Sequence, residues 1–570
     1  MLYSILYFCF INISLLIPGY VLIKRARFFS RHPGVELSLA YLLSIVFFAL
    51  LATLQYAFNI SPMLIRTISW LVIISAVVIF VWQRYYRDLW VLRFPLVCLV
   101  LMTLFSMAFV NLTFGAKYTY IPDPTPQANA NYKDMAVKIQ NISQTPALDN
   151  YIPYRQAQFF VNRSDPARDS FINEWGVHFF QRTPLMGAVT AHYFTLLGDK
   201  PPILFTWAQS ATDPDRTYVK FQIISAVLNM LFIVPSFFLL AKLFNRKVAL
   251  LTCLFLVPSQ FFLYNVVFSW PKSFVAFPII LSWLLLIEAR KGYVLLAGLA
   301  AGTAYLIHDL AFLYIAGTAL FLLYGRRIKD TFIYCLVPVL FALPWMLIAQ
   351  LAYHKPSSFL YYPLSTNGIP QPDEKKQIVH DFFHNTSPLK LLHIRLLNAF
   401  YLISPYELLT SEGGQAGFRR LWAFGLYSLP GSVGIGLMVP ALLAAIRRMK
   451  LLAVWILALS PILFAVLFIG WPKGLGILHF GEASVVLVSA IGVAYLAKFK
   501  DSRWLWAAYL ANTLQLIFFA VYSYNFTVGV WFSHFSDILS ILFMLIVLTF
   551  SGWTIYRISN GKNTWLTEVA

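Results

Sequence analysis

The chain has 570 residues, 59% of them hydrophobic and only 12% charged, with a mean hydropathy of +0.70. A soluble protein of this size carries about twice that share of charge, which excludes a soluble globular enzyme and indicates a polytopic membrane protein. The formal net charge of +20 does not point to nucleic acid, because the bases sit in short clusters between apolar runs.

A bilayer core about 30 Å thick needs about 20 apolar residues per helix. On that measure the sequence predicts spans near 3–23, 37–58, 64–83 and 94–114, then a long polar interval over 115–218. Further spans follow near 219–241, 248–267, 272–289, 293–307, 310–325 and 331–352. A second polar interval covers 353–427, and the last spans lie near 428–446, 451–470, 480–497, 504–524 and 535–556. The reading is all-α, with about 15 spans. The run Leu2–Ile23 has no basic region ahead of it and no small-residue cleavage site, so it reads as a retained first span. Cys9, Cys98, Cys253 and Cys335 lie inside apolar runs and read as buried, inert thiols rather than a disulfide framework.

The basic clusters test the count. Lys24–Arg31, Arg84–Arg93, Lys242–Lys247, Arg290–Lys291, Arg326–Lys329, Arg447–Lys450, Lys498–Arg503 and Arg557–Lys562 each follow an odd-numbered span. With the N-terminus outside and the C-terminus inside, all become cytoplasmic, and both long polar intervals face out. The 33 residues Gly292–Tyr324 are apolar except at His308 and Asp309. One helix of that length would run about 50 Å, so two short helices are expected, with a turn at His308–Asp309 on the outer surface. Within the polar intervals, Pro184–Leu197 and Leu391–Leu397 read as short apolar or amphipathic helices lying at the interface.

This arrangement resembles the GT-C superfamily of membrane glycosyltransferases. In that family a seven-helix module carries one large outer loop after its first helix and another after its seventh. Spans 4 to 10 match that count. The likeness implies extra helices over 1–93, a GT-C-like module over 94–352 holding the loop 115–218, a second periplasmic loop over 353–427, and C-terminal helices over 428–570. Local text agrees: Asp149-Asn150-Tyr151-Ile152-Pro153-Tyr154-Arg155 is similar to the start of such a first loop, and Arg182-Thr183-Pro184-Leu185 resembles the opening of its juxtamembrane helix. The resemblance implies a bacterial inner-membrane enzyme with its active site on the periplasmic face. The implied donor is a polyprenyl-phosphate sugar, transferred with inversion to a glycan, lipid or protein hydroxyl, pilin among the candidates.

That chemistry needs a carboxylate to take the acceptor proton and cations to stabilise the departing phosphate. For the base the sequence offers Asp149 first and Asp123 second. For the phosphate it offers Lys272, in a Trp-Pro-Lys turn repeated at Lys473, with Arg155, Arg182 and His479 beside them. His308 and Asp309 form a pair in which the acid can orient the ring, and Tyr151 and Tyr154 can stack on sugar. No metal motif is present. His380 and His384 share a helix face without a third ligand. No cofactor is indicated by a motif, and the family resemblance leaves open a divalent cation, Mg or Mn, on the loop acid. Two other readings fit a polytopic chain. One is a polymerase or ligase using lipid-pyrophosphate glycans, which carries its main outer loop late. The other is a lipid-linked sugar transporter or flippase, which predicts repeated halves and broken helices at the midplane.

Overall fold

The structure, a computed structural model, describes residues 2–26, 32–114, 152–164, 183–201, 217–267, 269–290, 292–348, 351, 361–367, 375–404, 428–447, 451–472, 481–499, 501, 503–528 and 535–560. Every regular element among them is a helix. The first group is α1 Leu2–Ala26, α2 Pro33–Ala57, α3 Pro62–Trp82, α4 Tyr86–Val91 and α5 Arg93–Phe114. Next come α6 Ile152–Asn162 and α7 Leu185–Leu197 from the first polar interval. They are followed by α8 Thr217–Met230, α9 Ile233–Leu243, α10 Arg246–Leu256, α11 Gln260–Val267 and α12 Lys272–Glu288. The middle continues through α13 Tyr293–Ile307, α14 Ala311–Tyr324 and α15 Ile328–Leu347. The second interval supplies α16 Lys375–Asn385 and α17 Pro388–Ile403. The chain closes with α18 Leu429–Val433, α19 Ile435–Ile446, α20 Leu452–Phe468, α21 Glu482–Leu496, α22 Arg503–Val528 and α23 Phe535–Ser559.

Every interval expected to span carries helix. Among the described residues six helices are long and apolar enough to cross a membrane unaided, or seven if the bent pair α10–α11 is one span. The protein is a multi-pass membrane protein. Helices at its edge keep an apolar stripe exposed to lipid, as α15 does with Ile328, Phe332, Leu336, Val339, Leu343 and Leu347. Other helices have no such stripe, α12 and α21 among them. Every residue of α21 is buried, and so is α12 from Lys272 through Leu286. These two are apolar on all sides and form the centre of the bundle.

Two expected spans are broken, each for a local reason. Near 248–267 the chain bends by 60° between α10 and α11, where Pro258 has no N–H to continue the ladder. Near 428–446 it breaks at Gly434, whose φ of 89° is open only to glycine without strain. The backbone groups freed there are held by α22: Asn512 accepts from Gly436 N–H at 2.9 Å, and Gln515 donates to the Gly431 carbonyl at 2.9 Å. Such substitution is what lets irregular backbone persist in an apolar setting.

The charged ends of the helices gather at one end of the bundle. Lys24 pairs with Glu36 at 2.9 Å and Asp88 at 3.1 Å, and Lys242 lies 3.4 Å from Glu288. Arg327 bonds Asp330 at 2.7 Å and the Leu286 carbonyl at 3.0 Å. The polar groups described next lie at the other ends of α12 to α14.

The helices of the first polar interval are not laid on the surface. All of α7 except Leu197 is buried. His192 stacks on Phe48 of α2 at 4.3 Å, and Tyr193 bonds Ser14 of α1 at 2.7 Å. Phe48 lies nine residues before the end of α2, about 13 Å in at 1.5 Å per residue. The expected interfacial helix is instead a helix seated among α1, α2, α3 and α6. The reason is in its sequence: LMGAVTAHYFTLL is apolar all round, so no face favours water. By contrast α17 is amphipathic as expected. Leu389, Leu392, Leu396, Phe400 and Ile403 are exposed along one stripe, while Ile394, Asn398 and Tyr401 are buried.

Candidate active site

The end of the bundle opposite the ion pairs is built from three helix starts and one turn. The first start belongs to α12. Ser269 adopts φ 53°, its N–H bonding the Val266 carbonyl at 2.9 Å, while Trp270 N–H bonds the Asn265 carbonyl at 3.1 Å. This tight turn delivers Pro271 to the N-cap of α12, where no side chain of its own can cap the helix. Asn229 of α8 does so instead, its Oδ1 accepting from Phe274 N–H at 2.9 Å. Lys272 is thereby fixed as the first residue of a buried helix. It is itself 8% exposed, its Nζ 4.2 Å from the centre of the Trp270 ring. A cation at a helix N-terminus faces the positive end of the helix dipole. The pair together favours an anion at that point.

The turn is at His308–Asp309, between α13 and α14, where it was expected. It is enclosed by protein rather than exposed at a surface: His308 is 3% and Asp309 7% exposed. The fifteen residues of α13 rise about 22 Å, short of a bilayer core of about 30 Å. His308 Nδ1 lies 2.9 Å from Asp309 Oδ1 and 3.2 Å from the Leu310 N–H. One nitrogen cannot donate to the first and accept from the second. The shorter, charge-assisted contact to the carboxylate is the stronger, so Asp309 orients the ring through Nδ1.

The third side is the start of α21. Ala483 N–H donates to the Tyr314 hydroxyl at 3.1 Å, so a side chain of α14 caps this helix. The same hydroxyl lies 3.5 Å from Glu482 Oε2, at the outer limit of a hydrogen bond. Glu482 is 1% exposed, and its Oε1 has no hydrogen-bond partner. Lys272, His308, Tyr314 and Glu482 line one cavity of about 10 Å³. The two core helices α12 and α21 thus begin with a lysine and a glutamate that line the same space.

Sequence reading singled out Lys272 and, apart from it, the His308–Asp309 pair, and the fold brings Lys272 and His308 to one cavity. It missed Tyr314 and Glu482. The available signal was that Glu482 is the lone acid in residues 413–500. Arg155 lies elsewhere, on α6, 1% exposed, with its guanidinium on Gln158 Oε1 at 3.0 Å and over the Phe159 ring. Tyr154 is fully buried. Its hydroxyl bonds Thr217 at 2.6 Å, and its ring packs on Phe194, Tyr218 and Phe221. It is packed as a core residue, because α6 lies against α7 and α8 rather than on a loop. Asp149, Asp123, Tyr151, Arg182, Lys473 and His479 lie outside the described residues. The second Trp-Pro-Lys turn is described up to Pro472, and it is clamped by the second polar interval. Gly470 N–H bonds the Tyr362 carbonyl at 2.8 Å, and Asn398 of α17 reaches the Ile469 carbonyl at 3.0 Å. Among the described residues no three His, Cys, Asp or Glu side chains are grouped to hold a metal ion. The loop acids that would take a divalent cation are outside them.

No protein-family model matches the chain, and no curated protein does. Among solved structures it is similar to the crystal structure of ArnT from Cupriavidus metallidurans bound to undecaprenyl phosphate. The identity is 14% and the TM-score 0.42, over 83% of this chain and 76% of that one.

Proposed function

We propose that this protein is a GT-C-type glycosyltransferase of the bacterial inner membrane. It moves a sugar from a polyprenyl-phosphate donor to a periplasmic hydroxyl, with inversion. One observation carries the reading. A buried lysine at a helix N-terminus shares a cavity with a histidine and a carboxylate, at the end of the bundle remote from the basic clusters. A lipid phosphate arriving at that end meets a cation and a helix dipole of the sign that stabilises it as it leaves the sugar.

In this mechanism Lys272 holds the donor phosphate, with Arg182, Lys473 and His479 as further cations; Arg155, buried on α6 against Gln158 and Phe159, takes no part. A loop aspartate, Asp149 before Asp123, takes the proton of the attacking hydroxyl. Asp309 orients the His308 ring at the wall of the cavity that Lys272 shares. The module over 94–352 supplies the lipid site, and the loops 115–218 and 353–427 face the periplasm.

The test is transfer in vitro from a panel of polyprenyl-phosphate sugars. Lys272→Gln should lose roughly 100-fold or more in kcat, the scale of one lost oxyanion contact. Asp149→Asn should lose about 100- to 10,000-fold, the usual contribution of a positioned base. Full activity in Asp149→Asn removes that residue as the base. No transfer from any donor by the wild type ends the proposal.

A further inference from the structure

We infer that a pocket at the far end of α21 from Glu482 binds the head group of an anionic phospholipid.

Four helix ends meet there. Phe244 closes α9, Asn245 caps α10, Leu451 precedes α20 and Ala497 closes α21. With Val248, Ala494 and Lys498 they line a pocket of about 360 Å³. The fifteen residues of α21 place it about 22 Å from the Lys272 cavity, at the end of the bundle that holds the Lys242–Glu288 pair. It is therefore a second site, separate from the one proposed for transfer.

The polar lining offers donors. Asn245 Oδ1 accepts from Val248 N–H at 2.9 Å as the cap of α10. That bond fixes which end of the amide is oxygen and turns it to the backbone, so the NH2 group is the end left for a ligand. Lys498 is exposed, and among the described residues its ammonium pairs with no acid. Asp501, the acid nearest it in sequence, lies 3.8 Å from Arg503. Arg246 and Lys247, exposed beside Asn245, add charge of the same sign. A ligand held here must bring acceptors and negative charge. A phosphodiester brings both.

The walls decide its source. Phe244, Val248, Leu451, Ala494 and Ala497 are apolar, and a free phosphate would leave them wet. A phospholipid sets its phosphate on Lys498 and its glycerol and first methylenes on those walls. From the pocket α20 carries Leu452, Leu459, Leu463 and Leu467 exposed along its length, an apolar track for the acyl chains. A zwitterionic lipid fits worse, because its amine meets the lysines and Arg246. Basic pockets between membrane helices take anionic head groups in this way.

The experiment titrates the full chain, purified in a neutral detergent. The probes are phosphatidylglycerol, phosphatidylethanolamine with the same acyl chains, and inorganic phosphate. Bound lipid is counted by native mass spectrometry, and the melting temperature is followed beside it. Phosphatidylglycerol should bind at least roughly five-fold more tightly than phosphatidylethanolamine, the effect of about one basic residue at a membrane surface, and raise the melting temperature. Inorganic phosphate should do neither. Lys498→Gln should weaken phosphatidylglycerol binding about five-fold. Asn245→Asp keeps a capping oxygen and replaces the donor by an anion, so it should weaken binding further. Equal affinity for the two lipids overturns the inference, since the pocket then takes lipid without regard to charge. Inorganic phosphate that matches phosphatidylglycerol overturns it in favour of a soluble anion. So does phosphatidylglycerol binding that neither variant changes. Lys498 is exposed and bears on no packing, so Lys498→Gln decides the matter should Asn245→Asp not fold. Every arm reads binding, so the outcome does not depend on transfer from any donor.

Discussion

His32 shows how a single side chain links the ends of distant helices. It precedes α2, its Nδ1 accepting from Val35 N–H at 3.4 Å, while Nε2 lies 3.4 Å from Glu288 at the end of α12. Burial pushes its pKa below the ordinary value, and Lys242 and Arg290 act in the same direction against Glu288. The unfolded chain therefore binds the proton more readily than the folded one. The stabilising contribution is complete above about pH 6.5 and is lost as the pH falls through the lowered folded value. The melting temperature in detergent should drop between about pH 7 and 5. His32→Asn, which keeps a capping side chain but does not titrate, should flatten that dependence. Residue roles were legible in the sequence where a charge stood in an apolar run, as Lys272, His308 and Asp309 do. Glu482 and Tyr314 were not, because they are 168 residues apart and only the packed fold puts them in one cavity. Glu482 alone reads as an ordinary acid in the first turn of a helix.

At the level of helices, the spans and the turn at His308–Asp309 followed from length and hydropathy, because an apolar run has few other conformations open to it in lipid. What sequence could not give was the cap on α12. Asn229 is one polar residue inside the helix α8, and its partner Phe274 is 45 positions away. Asn229→Leu should cost about 1 kcal/mol of stability, the usual loss of an N-cap. It should also lower kcat/KM more than its stability loss explains, because Lys272 is held by that cap. A Cys-free background and a melting curve beside the kinetics separate the two effects. The contact of α6 with α7 is equally hidden in the sequence. A Cβ on Gly187 would stand 2.5 Å from Gln156 Cβ, so Gly187→Leu should separate the helices and cost more than about 2 kcal/mol. That is read as a lowered melting temperature and faster proteolysis within 115–218.

For the molecule as a whole, the proposed function requires the basic clusters to lie on the cytoplasmic side, and labelling tests that. Cysteines placed singly at Arg326 and Lys498, with the four native ones removed, should react with a membrane-impermeant reagent only from the cytoplasmic side. Cysteine at Asp381 should react from the outside. Reversed labelling would put the Lys272 cavity on the wrong face for a periplasmic acceptor. The depth of α7 carries a consequence for biogenesis. The slot it fills is walled by α1, α2 and α3, all synthesised before it, while α7 itself leaves the ribosome only after α5 has been threaded. If the interval 115–218 faces the periplasm as proposed, the segment is exported first and then docks back into a cleft between helices made before it. Nascent chains halted before residue 185 should hold that cleft unfilled, and a chaperone or lipid tail would be its temporary lodger.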